Sequence, residues 1–333
     1  MKKPIAFLGA TAALCLTLAA CGSGNGGAAP TGADGSPDPT GATGAATDLN
    51  VMLMPVADAA PVYLAEKQGL FAENGVAVTT KFVQNGAAAT AELMSGAGHI
   101  AYTSPVVVLM GQTRGVPLVL VCGTNAESTD PDKQLVALVA KADSPLTSGE
   151  AFNGTTIAVN ALKAANELTS RVEIERMGGD ASTISFTALN TADMQGAVER
   201  GQVDAAVMTE PFLTPALASG MKVVAATQAP YTDQGTASAY MATRTFVEQN
   251  PDAVTGFCDS ITEASEFAND NPDAVRETIT EYTEIPETAV ASMRLPTYST
   301  NIKRETLDAL ADAIVDQGFT EQRPDVDAIL WER

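Results

Sequence analysis

The 333 residues hold one histidine, His99, and four cysteines, at positions 15, 21, 122 and 258. Imidazole is the usual general base near neutral pH, and transition-metal centres need several imidazoles or thiolates close together. A lone histidine and scattered cysteines supply neither, so the expectation is no catalytic residue, no metal and no cofactor. His99 stands just before an apolar run, Ile100 to Thr103, and reads as a structural imidazole. What remains for chemistry is a set of polar or turn-forming residues at the ends of apolar runs: Asp58, Asn85, Gly86, Thr103, Ser104, Asn160, Asn190 and Glu210. Each sits where a strand should stop and a helix should start. There, free backbone N–H groups and the positive end of the helix dipole point outward. That combination suits a small anionic or zwitterionic molecule, with Glu210 accepting from an amino or hydroxyl group. The same residue types also suit helix caps and turns, so both roles stay open for Glu210, Asn85 and Asn160. Lys163 reads as a solvated lysine, and Met54 and Tyr102 as core.

The start of the chain is a targeting pattern. Lys2 and Lys3 precede an uncharged apolar run from Ile5 to Leu18, too short to span a bilayer at about 20 residues and of the length of a signal core. It ends in Leu18-Ala19-Ala20-Cys21, which resembles the lipobox of bacterial lipoproteins. That resemblance implies cleavage after residue 20 and a lipid on Cys21 that holds the protein to a membrane. Residues 22–47 are Gly, Ala, Pro, Thr and Ser with few charges. Such a stretch buries nothing that would offset its ordering entropy and is expected to be a tether, roughly 28 Å in mean span.

The polar residues need elements to hold them, and the body supplies them twice. Strands are expected at Leu49 to Met54, Val76 to Val83 and Ile100 to Thr103, with helices near Ala60 to Ala72 and Ala87 to Ser95. A second copy runs Thr155 to Val159, Ile184 to Leu189 and Val203 to Met208, with helices near Asn166 to Met177 and Ala192 to Arg200. In both, a helix closes on glycine (Gly96, Gly201), a strand follows, and a proline (Pro105, Pro211) opens the next helix. The β-α-β-α-β order implies a parallel sheet with helices on its faces. Two further runs, Gln134 to Ala140 and Ser238 to Thr243, read as strands and are expected to cross between the two copies as a hinge. Asn250-Pro251 and Asn271-Pro272 read as helix starts. Val254, Phe257, Ile261, Ala264 and Phe267 then mark one buried helical face, and Leu307, Leu310 and Ile314 another. These helices are expected to cover the first copy.

The formal net charge of −21 repels nucleic acid and anionic lipid headgroups, and nucleic-acid binding is excluded. With Cys15 lost in the signal and Cys21 lipidated, Cys122 and Cys258 remain. Outside the cytoplasm they are either a disulfide or two separate buried thiols.

Ala60-Pro61-Val62-Tyr63-Leu64-Ala65, Gly69-Leu70-Phe71 and Gly75-Val76, with Gly201-Gln202-Val203-Asp204-Ala205-Ala206 and Glu210-Pro211-Phe212, resemble the NitT/TauT-type solute-binding proteins. These are the nitrate, sulfonate, taurine and thiamine-precursor binders of ABC importers. The resemblance implies a type II periplasmic-binding-protein fold: two Rossmann-like lobes, a two-segment hinge and C-terminal helices on the first lobe. It implies a small-molecule ligand in the cleft, with a permease and its ATPase as partners, and a monomer is expected. The expected division is 1–20 signal peptide, 21–47 lipidated cysteine and tether, 48–138 plus 237–333 first lobe, and 139–236 second lobe. The first lobe of that family usually carries an acid after the glycine, as Asp204 does in the second, but His99 stands there. A ligand sensor for a membrane receptor is the alternative, and an enzyme on the same fold the remote one.

Overall fold

The computed structural model describes residues 46–128, 133–227 and 234–332. The signal peptide, Cys21 and all but the last residues of the tether lie outside the described residues. Among the described residues, no helix is long and apolar enough to cross a membrane.

Two sheets organise the body. The strands are Thr47–Leu53 (β1), Val76–Phe82 (β2), Ile100–Thr103 (β3), Leu118–Ala126 (β4), Val136–Ala140 (β5), Thr156–Val159 (β6), Ser185–Ala188 (β7), Ala205–Thr209 (β8), Lys222–Ala226 (β9), Thr236–Thr243 (β10) and Thr297–Tyr298 (β11). The first sheet has the order β11-β4-β10-β3-β1-β2 and the second β7-β6-β8-β5-β9. Each expected β-α-β-α-β copy forms a parallel trio with its first strand in the middle, β2-β1-β3 and β7-β6-β8. The expected mixed α/β two-sheet architecture is present.

The echo extends to atoms. In the second trio the Asp204 carboxylate, just before β8, accepts the Thr156 N–H of β6 at 2.8 Å. In the first, His99 Nδ1, just before β3, accepts the Asn50 N–H of β1 at 3.0 Å. His99 thus does the work of the family's acid, and its ring stacks on Phe246 at 4.9 Å. Gly96 and Gly201, at φ +77° and +67°, end the preceding helices in the left-handed region that side chains avoid.

The two runs expected as strands at the hinge are strands, but they lie inside the sheets and not in the crossing. The β5 sequence Val-Ala-Leu-Val-Ala is buried at all five positions and pairs antiparallel with β8 and β9 inside the second sheet. Likewise β10 lies between β3 and β4 in the first. A strand apolar on both faces must be covered on both, which a solvent-facing hinge cannot offer. The boundary expected at 138/139 therefore falls inside β5. The chain crosses instead between β4 and β5 and between β9 and β10. These crossings meet where the Glu127 N–H donates to the Gly235 carbonyl and the Gln234 N–H to the Glu127 carbonyl, both at 2.8 Å.

The C-terminal helices pack on the first sheet, as expected. Helix Pro251–Asp270 buries Val254, Phe257, Ile261 and Ala264, while Phe267 is 36% exposed and Ala268 takes its place in the stripe. At 3.6 residues per turn the face drifts past position 267. Pro251 and Pro272 open their helices, but Asn250 and Asn271 turn backward, each donating its side-chain N–H to the carbonyl four residues earlier. Pro211 does not open a helix. It follows a cis peptide, and the next helix runs Leu213–Ala218.

Cys122 of β4 and Cys258 of helix Pro251–Asp270 form a disulfide across 136 residues of sequence, with Cα atoms 6.0 Å apart. Both are buried beside Tyr240 and Phe257. Closing so long a loop removes conformations from the unfolded chain. The Cys122→Ala/Cys258→Ala protein is expected to lose about 2–5 kcal/mol of stability in urea unfolding; a loss below about 0.5 kcal/mol would show that the bond does not constrain the unfolded state.

Candidate functional site

A cavity of about 450 Å³ opens between the two sheets. The geometry follows from strand polarity. The parallel trios bring their carboxyl ends to it. The antiparallel strands β5 and β10 bring their amino ends, and β4, reversed once more, its carboxyl end. Ligands in open α/β sheets sit at this edge, where connecting loops converge.

Asp58, in the turn after β1, anchors the first-sheet wall. It is 8% exposed. Its Oδ2 accepts the Tyr102 hydroxyl of β3 at 2.6 Å and the Ser238 hydroxyl of β10 at 2.9 Å, and its Oδ1 accepts Asn125 Nδ2 of β4 at a long 3.4 Å. The Ser238 oxygen also lies 2.5 Å from Asn125 Oδ1 and 2.6 Å from Thr124 Oγ1, so its single proton serves one acceptor at a time. Burial raises the Asp58 pKa above the ordinary aspartate value, against the two hydroxyl bonds that lower it. The turn that carries Asp58 is pinned from behind. Tyr282 donates to the Val56 carbonyl at 2.8 Å and Tyr298 to the Ala57 carbonyl at 3.0 Å. Tyr282 stacks on Tyr63 at 4.5 Å and tilts against Phe82 at 6.2 Å, and Phe82, 43% exposed, lines the cavity.

Glu127, at the end of β4, lines the same wall. Burial pushes its carboxyl up to about 8, and the Asp58 carboxylate adds to the rise.

Across the cavity stand Asn160 after β6, Asn190 after β7 and Glu210 after β8. Asn160 Oδ1 accepts Asn166 Nδ2 at 3.0 Å. Asn190 precedes helix Thr191–Glu199 without capping it through its side chain. Glu210 is only 1% exposed. Its Oε1 accepts the Thr214 hydroxyl at 2.5 Å and the Arg294 N–H at 3.3 Å, and its Oε2 the Thr214 N–H at 3.2 Å. It caps its helix and lines the cavity at once. Burial raises its pKa, opposed by the Thr214 and Arg294 bonds.

Of the eight residues singled out from sequence, the cavity thus gathers Asp58, Asn160, Asn190 and Glu210. The other four do not line it. Asn85 caps helix Gly86–Met94, its Oδ1 accepting the Ala87 and Ala88 N–H groups at 3.1 and 3.0 Å. Ser104 caps helix Pro105–Gln112 through the Val106 N–H at 3.3 Å. Thr103 is buried and bonds the Ser104 carbonyl. Gly86 lines a second cavity, where a Cβ would come within 2.7 Å of Val107; its role is close helix packing. Tyr102, Asn125, Glu127 and Ser238 were missed. Tyr102 reads as core from sequence, Asn125 and Glu127 lie at the end of the strand that holds Cys122, and Ser238 falls in the run expected to cross as a hinge.

With β-α-β trios, antiparallel strands received from across the cleft, and polar strand ends facing each other, the molecule has a periplasmic-binding-protein fold. Among the solved structures similar to it are the following three. One is the periplasmic aliphatic sulphonate binding protein SsuA of Escherichia coli (TM-score 0.71, 19% identity, 86% of this chain and 97% of that one). Another is the ligand-binding component of an ABC-type import system of Staphylococcus aureus (0.72, 12%, 86% and 96%). A third is the periplasmic nitrate-binding protein NrtA of Synechocystis PCC 6803 (0.68, 15%, 85% and 85%). Residues 56–275 match the family model described as NMT1/THI5 like, and the chain belongs to that family. No curated protein matches the sequence.

Glu127 makes stability depend on pH. An acid whose pKa is higher folded than unfolded favours folding while protonated, and that contribution fades as pH rises from about 4.5 through about 8. Glu127→Gln is therefore expected to leave stability nearly unchanged near pH 5 and to raise it by roughly 1–3 kcal/mol near pH 9. Urea melts at the two pH values check this, and equal effects at both would contradict it.

Proposed function

We propose that this protein is the solute-capturing component of an ABC importer, working outside the cytoplasm and tied to the membrane by a lipid on Cys21. The observation that carries the reading is the cavity itself. Its polar groups come from both sheets, and the sheets are joined by two short connections that meet at Glu127 and Gly235. Closure about those connections would wrap Asp58 and Glu210 around one small molecule, and a permease would read the closed form. On this reading the first lobe comprises 46–126 with 236–332 and the second 136–226, and the protein acts as a monomer. Family membership and the folds of the sulphonate- and nitrate-binding relatives support it. So does the position of the reactive side chains, which favours capture without chemistry: His99 is held against β1 and Phe246, and Cys122 and Cys258 are bonded to each other.

A soluble form beginning at Asp48, purified from its own host, is expected to carry its solute in native mass spectrometry. Saturation at about 1,000 times Kd should stabilise it by about 4 kcal/mol. Asp58→Asn should weaken capture at least tenfold, about 1.4 kcal/mol, as read by calorimetric titration. A protein that binds nothing from its host's extract, or an Asp58→Asn form of unchanged affinity, counts against the reading or against Asp58's part in it, respectively.

A further inference from the structure

The second cavity, of about 590 Å³, shares no lining residue with the first. It forms where helices Gly86–Met94 and Pro105–Gln112 of the first half meet residues 161–164, the loop after β6 of the second. Most of its lining is apolar. Val106, Met110 and Leu118 are buried, Val107 and Val116 are partly exposed, and Leu162 is 52% exposed. Such a surface is stabilised when an apolar body covers it and releases its water.

The polar residues of the lining are Thr90, Arg114 and Lys163, and none of its described residues is acidic. Thr90 is committed, its hydroxyl donating to the Gly86 carbonyl at 2.9 Å. The Arg114 guanidinium and the Lys163 ammonium have no hydrogen bond or ion pair among the described residues. Arg171, Arg176, Arg304 and Arg323, by contrast, each pair with a carboxylate. Lys163 is also fixed in place. It stands at φ +50°, a conformation that side chains rarely adopt. Glu167 holds it there, its Oε2 accepting the Lys163 N–H at 2.7 Å while its Oε1 pairs with Arg171 at 2.8 Å. The carboxylate that positions the Lys163 backbone is thus neutralised by a different cation, and the Lys163 charge stays uncompensated.

We propose that this cavity is a second ligand site, one that takes a small amphipathic anion. A carboxylate or sulfonate head pairs with Arg114 and Lys163, and an alkyl or aryl body covers Val107, Met110 and Leu162. The body supplies most of the affinity, because each buried methylene contributes about fourfold and an exposed ion pair about fivefold at most. The head decides the sign, since a cationic head meets two like charges. Arg114 comes from the first half and Lys163 from the second, so the occupant touches both. A bilayer of anionic lipid has the same head-and-tail chemistry, but the chain's net charge of −21 repels a charged surface far more than one small anion. The occupant is therefore a single soluble molecule, and the site is independent of solute capture in the first cavity.

The test uses octanoate, octanol and octylamine, which share one body and differ in charge. Each is titrated into the soluble protein at up to millimolar concentration and followed by backbone amide shifts in NMR. Octanoate is expected to move the amides of Gly111, Leu162 and Lys163, to leave those of Asp58 and Glu210 in place, and to bind tightest of the three at those moved. Hexanoate, two methylenes shorter, should bind about tenfold more weakly. Arg114→Gln and Lys163→Gln should each weaken octanoate by about two- to fivefold, and the double variant by about tenfold, with octanol unaffected. Octanol or octylamine matching octanoate at these amides, or a double variant of unchanged octanoate affinity, overturns the inference. So do shifts confined to Asp58 and Glu210, which would put octanoate in the first cavity, and so does an absence of any shift. Vesicles of phosphatidylglycerol that bind the protein where octanoate does not would assign the cavity to a lipid surface and overturn it too. Solute capture is judged separately, by the host-extract experiment.

Discussion

A carboxylate held almost out of water is the arrangement on which the first sheet's working edge depends. Burying Asp58 costs several kcal/mol unless hydrogen bonds replace its hydration. Those bonds come from three different strands, Tyr102 of β3, Asn125 of β4 and Ser238 of β10. They coincide only because β10 enters between β3 and β4 in register, pairing Ser238 with Asn125 and Tyr240 with both Tyr102 and Cys122. The strand that returns from the second sheet therefore completes the first sheet's site. Behind it the disulfide at Cys122 and the hydroxyls of Tyr282 and Tyr298 tie the same edge to the C-terminal helices and the segment before residue 299.

The two halves of the cleft are built alike but charged differently. Both present the carboxyl ends of a parallel trio, and both accept an antiparallel strand from across the cleft. On the second side the polar groups are largely committed: Asn160 to Asn166, and Glu210 to Thr214 and Arg294. On the first side two carboxyls share one wall and one of them is pushed up to about 8. That rise comes from burial and from the neighbouring Asp58 charge, so it belongs to the tertiary arrangement and to neither residue alone.

Periodicity made the trios and their order legible, because apolar strands and glycine stops leave a local mark. It also located His99, whose lack of partners excluded a metal role and whose structural duty mirrors that of Asp204. Local pattern recognises β5 and β10 as strands but misplaces them at the crossing. A short apolar run looks the same whether it crosses a gap or fills a sheet, and only the count of covered faces separates the two. Polar strand ends suffered likewise. Asn85 and Ser104 cap helices and do not line the cavity, and nothing in spacing tells a cap from a contact.

From its residues alone, this chain determined two repeated parallel units, helices over the first, and an acidic body with a single histidine. Each of these is written in neighbouring residues, through periodicity, turn preference and composition. Which carboxylates share a wall, where the chain crosses, and that Cys122 meets Cys258 over 136 residues were decided only by folding. Those facts depend on pairings between distant strands, and the free energy that selects such pairings is spread over the whole core and leaves no local trace.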